Sequence, residues 1–251
     1  MDELVGALAE QQAELSGLVS GLDETGWQRA SRCDGWTVAD VVLHLAQTNE
    51  LAVGSATGRF AEAAAALAAG TRPALSVDDA AEVAVARDRG TPGEVIRERW
   101  QTGADALRDV LRACDPHERV TWVAGELSVH TLVATRLAET WIHTGDVAAA
   151  FDVELAPTDR LRHIARLAWR TLPYAFARDG RELAGPVAFE LRGPSGAAWD
   201  FTPTSEPATV VRGDGVELCL VAARRVDPAD TALEAEGPDA RAVLELVRTY
   251  A

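Results

Sequence analysis

The sequence predicts a bundle of four long helices at the N-terminus, over 1–152, followed by a small α+β domain over 158–251. Three observations predict it. Four segments of the first 150 residues carry apolar residues at helical spacing, the sequence picture of a four-helix bundle. Two of them open on cap-like signals, Thr37 with Asp40 and Thr91 with Glu94, the pattern by which a helix start satisfies its own free N–H groups. Beyond 158 the periodicity changes to short alternating runs broken by Gly and Pro, which is the signature of strands and turns.

The elements follow in order. Leu4, Leu8, Leu15 and Leu18 place a helix over 2–22. "DETGWQRASRCDGW" reads as a loop, and a second helix runs from about 38 to 53. The alanine-rich stretch 56–69 is helical in composition, and 70–90 is irregular with a short helix after Ser76. Pro92, at a first helical position, opens a third long helix ending near Cys114. "DPHERVTWVAGELS" reads as a connection, and the fourth long helix covers 129–151. After the boundary near 152–158 come one helix over 158–178 and a hairpin in "GPVAFELRGPSGAAWDFTP". "ATVVRGDGVELCLVAARR" reads as a strand and a short helix, "TALEAEG" as a strand, and Pro238 opens a last helix.

Composition narrows the function classes. The 251 residues carry a net charge of -15, which disfavours nucleic acid and anionic membrane surfaces as partners. No apolar run reaches the ~18 residues a membrane span requires. Three widely spaced cysteines, Cys33, Cys114 and Cys219, suggest neither a disulfide framework nor a cysteine zinc site, and they fit a reducing cytoplasm. All 24 basic residues are arginine, which reads as the codon usage of a GC-rich genome.

The candidate chemistry sits on the second and fourth long helices. In "TLVATRLAETWIHTGDVAAAF", Glu139 and His143 lie four apart and so share a face; Arg136 and Asp146 extend the stripe. The second helix offers His44 in an apolar surround. If the two helices face each other, His44, Glu139 and His143 form a two-histidine, one-carboxylate set with open coordination positions, suited to Zn²⁺ or Fe(II). Asp40, one turn before His44, and Asp146, three residues after His143, are each placed to hold the far nitrogen of a histidine. The plainer reading of the same residues is a core histidine with one hydrogen bond, a Glu139–Arg136 ion pair and a surface His143.

Two stretches carry a resemblance. "CDGWTVADVVLHLA" resembles the second-helix signature of the DinB-like metal-binding bundles, in the branch of mycothiol-dependent maleylpyruvate isomerase, and "AETWIHTGDVAAAF" resembles that branch's fourth-helix signature. The C-terminal "ELCLVAARRVDPADTALEAEGPDARAVLEL" is similar to the appended α+β domain of the branch, related to sterol-carrier-like folds. The resemblance implies Zn²⁺ held by His44, Glu139 and His143, and mycothiol as thiol cofactor at the open metal position. It also implies an arginine of the C-terminal domain facing the site, Arg224 being the best positional match and Arg225 the next. The arginine-only character suits an actinobacterial host, where mycothiol occurs. The stretch "CLVAARR" lacks the Trp and Gly of the isomerase pattern near that arginine, a departure that bears on the maleylpyruvate substrate more than on the metal.

The resulting expectation is a cytoplasmic enzyme, monomeric or homodimeric, in which a metal-activated thiol attacks a small electrophile, by S-transfer or by addition and release in an isomerisation. The alternative is a non-catalytic module that encloses a hydrophobic small molecule around a vacant or structural metal site.

Overall fold

Thr37 begins the helix that matters most here. Its hydroxyl accepts from Asp40 N at 3.2 Å, while Asp40 Oδ2 accepts from Thr37 N at 3.0 Å, a reciprocal capping box. In this computed structural model, which describes residues 1–249, the chain forms two compact units, Met1–Leu155 and Ala156–Ala251.

The first unit is built on four long helices: α1 (Asp2–Val19), α3 (Val38–Ala56), α6 (Gly93–Ala113) and α7 (Val129–Ala149). Each packs on two of the others, α3 on α6 and α7, and α1 on the same pair, so they enclose one core. Leu8, Leu15, Leu43, Leu45, Leu107 and Leu137 are fully buried there, each worth roughly 1.5–3 kcal/mol against exposure. Trp27, on the short α2 (Glu24–Trp27), closes one end. It lies against Gly93 at the start of α6, where a Cβ would fall 2.2 Å from the indole. Only glycine admits that approach.

Three sequence expectations change here. The predicted capping box at Thr91 does not form: α6 starts at Gly93 with no side-chain cap. The Thr91 hydroxyl donates instead to Asp88 O at 2.7 Å, closing the preceding helix. The stretch 70–90 is less irregular than expected. After α4 (Phe60–Ala68) it holds a three-turn helix, α5 (Val77–Asp88), capped by Ser76. "DPHERVTWVAGELS" is more than a connection, since it contains the hairpin β1 (Arg119–Trp122) and β2 (Gly125–Ser128). The second of these strands, Gly-Glu-Leu-Ser, carries no alternation of exposed and buried positions, so the pair leaves little period in sequence.

In the second unit the expected long helix is two, α8 (Leu161–Arg170) and α9 (Leu172–Arg178). Pro173 explains the break, because it has no N–H and its ring opposes the carbonyl four residues back. The strands β3 (Val187–Arg192), β4 (Ala198–Phe201), β5 (Thr209–Asp214) and β6 (Glu234–Glu236) form a sheet in the order β4-β3-β5-β6. The expected hairpin is the β3–β4 pair; β3 and β5 run parallel, and β6 is antiparallel to β5. Trp199, Phe189 and Phe176 fill the core of this unit. Helix α10 (Gly215–Ala222) follows β5, and α11 (Ala240–Leu246) ends the unit.

The end of α10 is unusual. Arg224 N donates to Val221 O at 3.0 Å and Arg225 N to Leu220 O at 2.9 Å, the two bonds of a Schellman ending. The residue that must turn left-handed in that motif is Arg224, with φ 59°, where glycine is the usual occupant. No helix among the described residues is long and apolar enough to cross a membrane.

Candidate metal centre

His44 on α3 meets Glu139 on α7, and Asn49 on α3 meets Arg136 on α7, so the two helices run antiparallel. The capping box sets where α3 begins and hence which way His44 faces. On α7 the four-residue spacing puts Glu139 and His143 on one stripe toward α3. The three side chains are largely withdrawn from solvent, His44 by 11%, His143 by 13% and Glu139 by 20% exposure.

The three side chains converge on one another. His44 Nε2 lies 3.6 Å and His143 Nε2 3.8 Å from the same oxygen, Glu139 Oε2. A hydrogen bond would bring each pair to about 2.7–3.2 Å. Ligands bound at zinc distances with tetrahedral angles stand roughly 3.3–3.5 Å apart. All three donor atoms lie within 4.8 Å of one another. The residues present therefore fit a divalent ion of borderline character, Zn²⁺ or Fe(II).

The electrostatics favour ligand-competent forms. Burial lowers the His44 pKa from its usual 6.5, with the neighbouring Glu139 carboxylate opposing and His143 and Arg136 reinforcing the drop; the ring stays neutral and keeps a lone pair. Burial alone would raise the Glu139 pKa. The neighbouring His44, His143 and Arg136 side chains outweigh it and hold the carboxyl at about 2. Arg136 itself is fully buried, and burial works against its charge. It does not pair with Glu139: Nη2 donates to Asn49 Oδ1 at 3.3 Å and Nε has no partner among the described residues.

The two aspartates differ. Asp146, buried to 1%, places Oδ2 at 3.0 Å from His143 Nδ1. That arrangement puts a proton on Nδ1 and turns the Nε2 lone pair toward Glu139. Asp40 is turned to the helix start instead. One oxygen closes the capping box and the other accepts from Arg89 Nε at 3.0 Å. The ring of His44 is held by packing: Trp36 stands 5.3 Å away and the His143 ring 5.1 Å away, edge to face.

Sequence reasoning missed three contributors. Trp36 covers His44, and its indole donates to Glu82 Oε2 on α5 at 2.5 Å. Arg89 links Glu82 and Asp40, so the stretch 76–89 frames the site. Cys33 Sγ lies 3.1 Å from Asp146 Oδ2 and 3.7 Å from His143 Nδ1. The only sequence signal for these was the position of Cys33 and Trp36 immediately before the capped helix. Arg224 lies in the second unit, exposed, at the left-handed turn after α10.

Fold and site together define a class: a helical bundle with an inward two-histidine, one-carboxylate cluster and a following mixed-sheet unit. The chain belongs to the mycothiol maleylpyruvate isomerase N-terminal domain family, whose model matches residues 8–148. An uncharacterized protein from each of two Mycobacterium tuberculosis strains, CDC 1551 / Oshkosh and H37Rv, is 33% identical over 248 residues, covering 98% of this chain and 95% of theirs. The fold matches the crystal structure of the mycothiol-dependent maleylpyruvate isomerase with TM-score 0.61 at 19% identity, over 95% of both chains. A histidine-to-alanine mutant of that isomerase matches with the same score at 18% identity.

Proposed function

We propose that this chain is a metal-dependent enzyme that uses a thiol cofactor, mycothiol, against a small electrophilic substrate, by S-transfer or isomerisation. The observation that carries the reading is the convergence of His44 Nε2, Glu139 Oε2 and His143 Nε2 at spacings too long for hydrogen bonds and right for a shared ion. Family membership supports mycothiol as the thiol. Zinc is the favoured ion, since three protein ligands with an open position are its catalytic pattern.

The ion, when bound, supplies Lewis-acid charge that keeps a thiol sulfur anionic at neutral pH, where a free thiol is mostly protonated. The remaining work falls to the chain. Glu139, as an anionic ligand, would lower the net charge of a bound ion. Asp146 holds the His143 proton on Nδ1, and burial keeps His44 neutral. Trp36 covers one side of the His44 ring and limits water there. Arg224 is assigned to the carboxylate of the substrate, which a guanidinium grips as a two-pronged fork. Its left-handed backbone supports that assignment: a strained non-glycine residue persists where function holds it.

The test is turnover of mycothiol with monochlorobimane or maleylpyruvate, with and without a chelator. Chelator-sensitive turnover, restored by Zn²⁺, supports the enzyme. Tight binding of a hydrophobic ligand with no chelator-sensitive turnover supports the binding module instead.

A further inference from the structure

We propose that Cys33 is a positioning residue of the candidate metal centre: its thiol donates to Asp146 and, through that carboxylate, fixes His143 for the ion. The inference rests on the metal reading above.

Asp146 is buried to 1% exposure. A carboxylate in such surroundings is held by the donors it finds, because an unpaired buried charge is costly. Its Oδ2 finds His143 Nδ1 at 3.0 Å and Cys33 Sγ at 3.1 Å. One oxygen thus accepts from both groups. The thiol sets where that oxygen lies, and the oxygen sets the tilt and tautomer of the imidazole.

The loop that carries Cys33 is built to deliver it. Ser31 N donates to Trp36 O at 2.9 Å, and Trp36 N to Cys33 O at 3.0 Å. Cys33 N donates to the Ser31 hydroxyl at 3.1 Å. Arg32 N donates to the carbonyl of Asp146 at 3.2 Å. The loop therefore grips Asp146 twice, by backbone at its carbonyl and by thiol at its carboxylate. Cys33 is also one of the partly buried residues packed against the core of the first unit, where an S–H is less costly to bury than a hydroxyl.

Cys33, His143 and Asp146 also lie close enough together to be read as a second ligand set. The distances favour donation. His143 Nδ1 and Cys33 Sγ both approach Asp146 Oδ2 at hydrogen-bond length, and an Nδ1 that donates its proton there has no lone pair for a second ion.

The experiment is Zn²⁺ titration of metal-stripped protein against a chromophoric chelator, with urea midpoints of the apo forms measured alongside. Cys33→Ala should bind Zn²⁺ about tenfold or more weakly, the usual cost of losing an outer partner, with the apo midpoint little changed. Cys33→Val, which fills the space without a donor, should match it and stands in if the alanine variant folds poorly. Cys33→Ser should recover most of the affinity. Because both residues act on one imidazole, Cys33→Ala should add little to Asp146→Asn in the double variant. Unchanged Zn²⁺ affinity in both the Ala and Val variants overturns the proposal, as does full additivity with Asp146→Asn. A near-ultraviolet sulfur-to-cobalt band in Co²⁺-loaded wild type, lost in Cys33→Ala, also overturns it by making Cys33 a ligand. If wild type binds no Zn²⁺, the metal reading itself has failed; if wild type binds and the variants bind equally, only the role of Cys33 has.

Discussion

His44 Nε2 and Glu139 Oε2 face each other across the α3–α7 interface at 3.6 Å, near enough to share an ion and too far to share a hydrogen. The electrostatics of this pair set a pH dependence. His44 has its pKa lowered in the fold, and Glu139 has its own lowered to about 2. In both cases the unfolded chain binds more protons than the folded one, so stability rises with pH across the window. For metal-free protein, stability should begin to fall as pH drops through about 6.5, where unfolded His44 protonates, and fall further below about 4.5 as unfolded Glu139 protonates, until the folded carboxyl itself titrates near 2. Urea midpoints at pH 7.5, 6.0 and 5.0 check the upper limb. In His44→Gln that limb should flatten; an unaltered slope would assign it to other groups.

Asp146→Asn replaces a pure acceptor with a group that can present an N–H to His143 Nδ1. Zn²⁺ affinity should fall about 10–100-fold. Competition titration measures it. Affinity within a factor of about two of wild type would mean that His143 holds its orientation without Asp146.

Arg89 ties Asp40 to α5 at 3.0 Å, with the Asp40 carboxylate almost wholly buried. Arg89→Ala removes that partner while the capping box remains. A loss of roughly 1–2 kcal/mol is expected, since the exposed half of the guanidinium is screened by solvent. Urea unfolding gives the number, and a change below ~0.5 kcal/mol would show that α5 is not anchored through this contact.

Gly93→Ala puts a methyl group into the indole of Trp27, 2.2 Å from its ring atoms. Overpacking of this kind costs about 1–3 kcal/mol. Thermal unfolding should register it while Zn²⁺ content stays at the wild-type level, because Gly93 lies on α6 and supplies no ligand.

Arg224 separates stability from activity. Its φ of 59° favours glycine, so Arg224→Gly should stabilise the protein by about 0.5–1 kcal/mol and lower kcat/KM by about tenfold or more. Arg224→Lys should lower kcat/KM similarly without the stability gain, since an ammonium does not reproduce the fork. Metal content should match wild type in both. Unaltered kinetics in the two variants would remove Arg224 from substrate recognition and leave only the strained turn.

The helices of the first unit were legible because each is long enough to show its period, and Thr37 with Asp40 marked the start of α3 in advance. The convergence of His44, Glu139 and His143 was legible only as a condition, that α3 and α7 face each other, and sequence spacing cannot supply that. The hairpin at 119–128 is not legible because its second strand, Gly-Glu-Leu-Ser, shows no alternation of exposed and buried positions. Asp40 carries two readings in sequence, closing the cap and holding His44, because its spacing serves both equally well on paper. The capping geometry decides between them by turning the carboxylate back to Thr37 N. Cys33 and Trp36 reach the site through a loop held by irregular backbone bonds, which leave no periodic trace. The division of α8 from α9 does have a local sequence cause, the missing N–H of Pro173.

Elemental analysis of purified wild type beside His44→Ala and Glu139→Gln tests the central claim most directly. Wild type should carry about one zinc per chain, and each variant far less, because two remaining ligands do not hold the ion through dialysis. Each variant should remain folded by circular dichroism. Equal metal content in wild type and both variants, or wild-type protein that takes up no divalent ion when Zn²⁺ is supplied, would contradict a metal centre built from His44, Glu139 and His143.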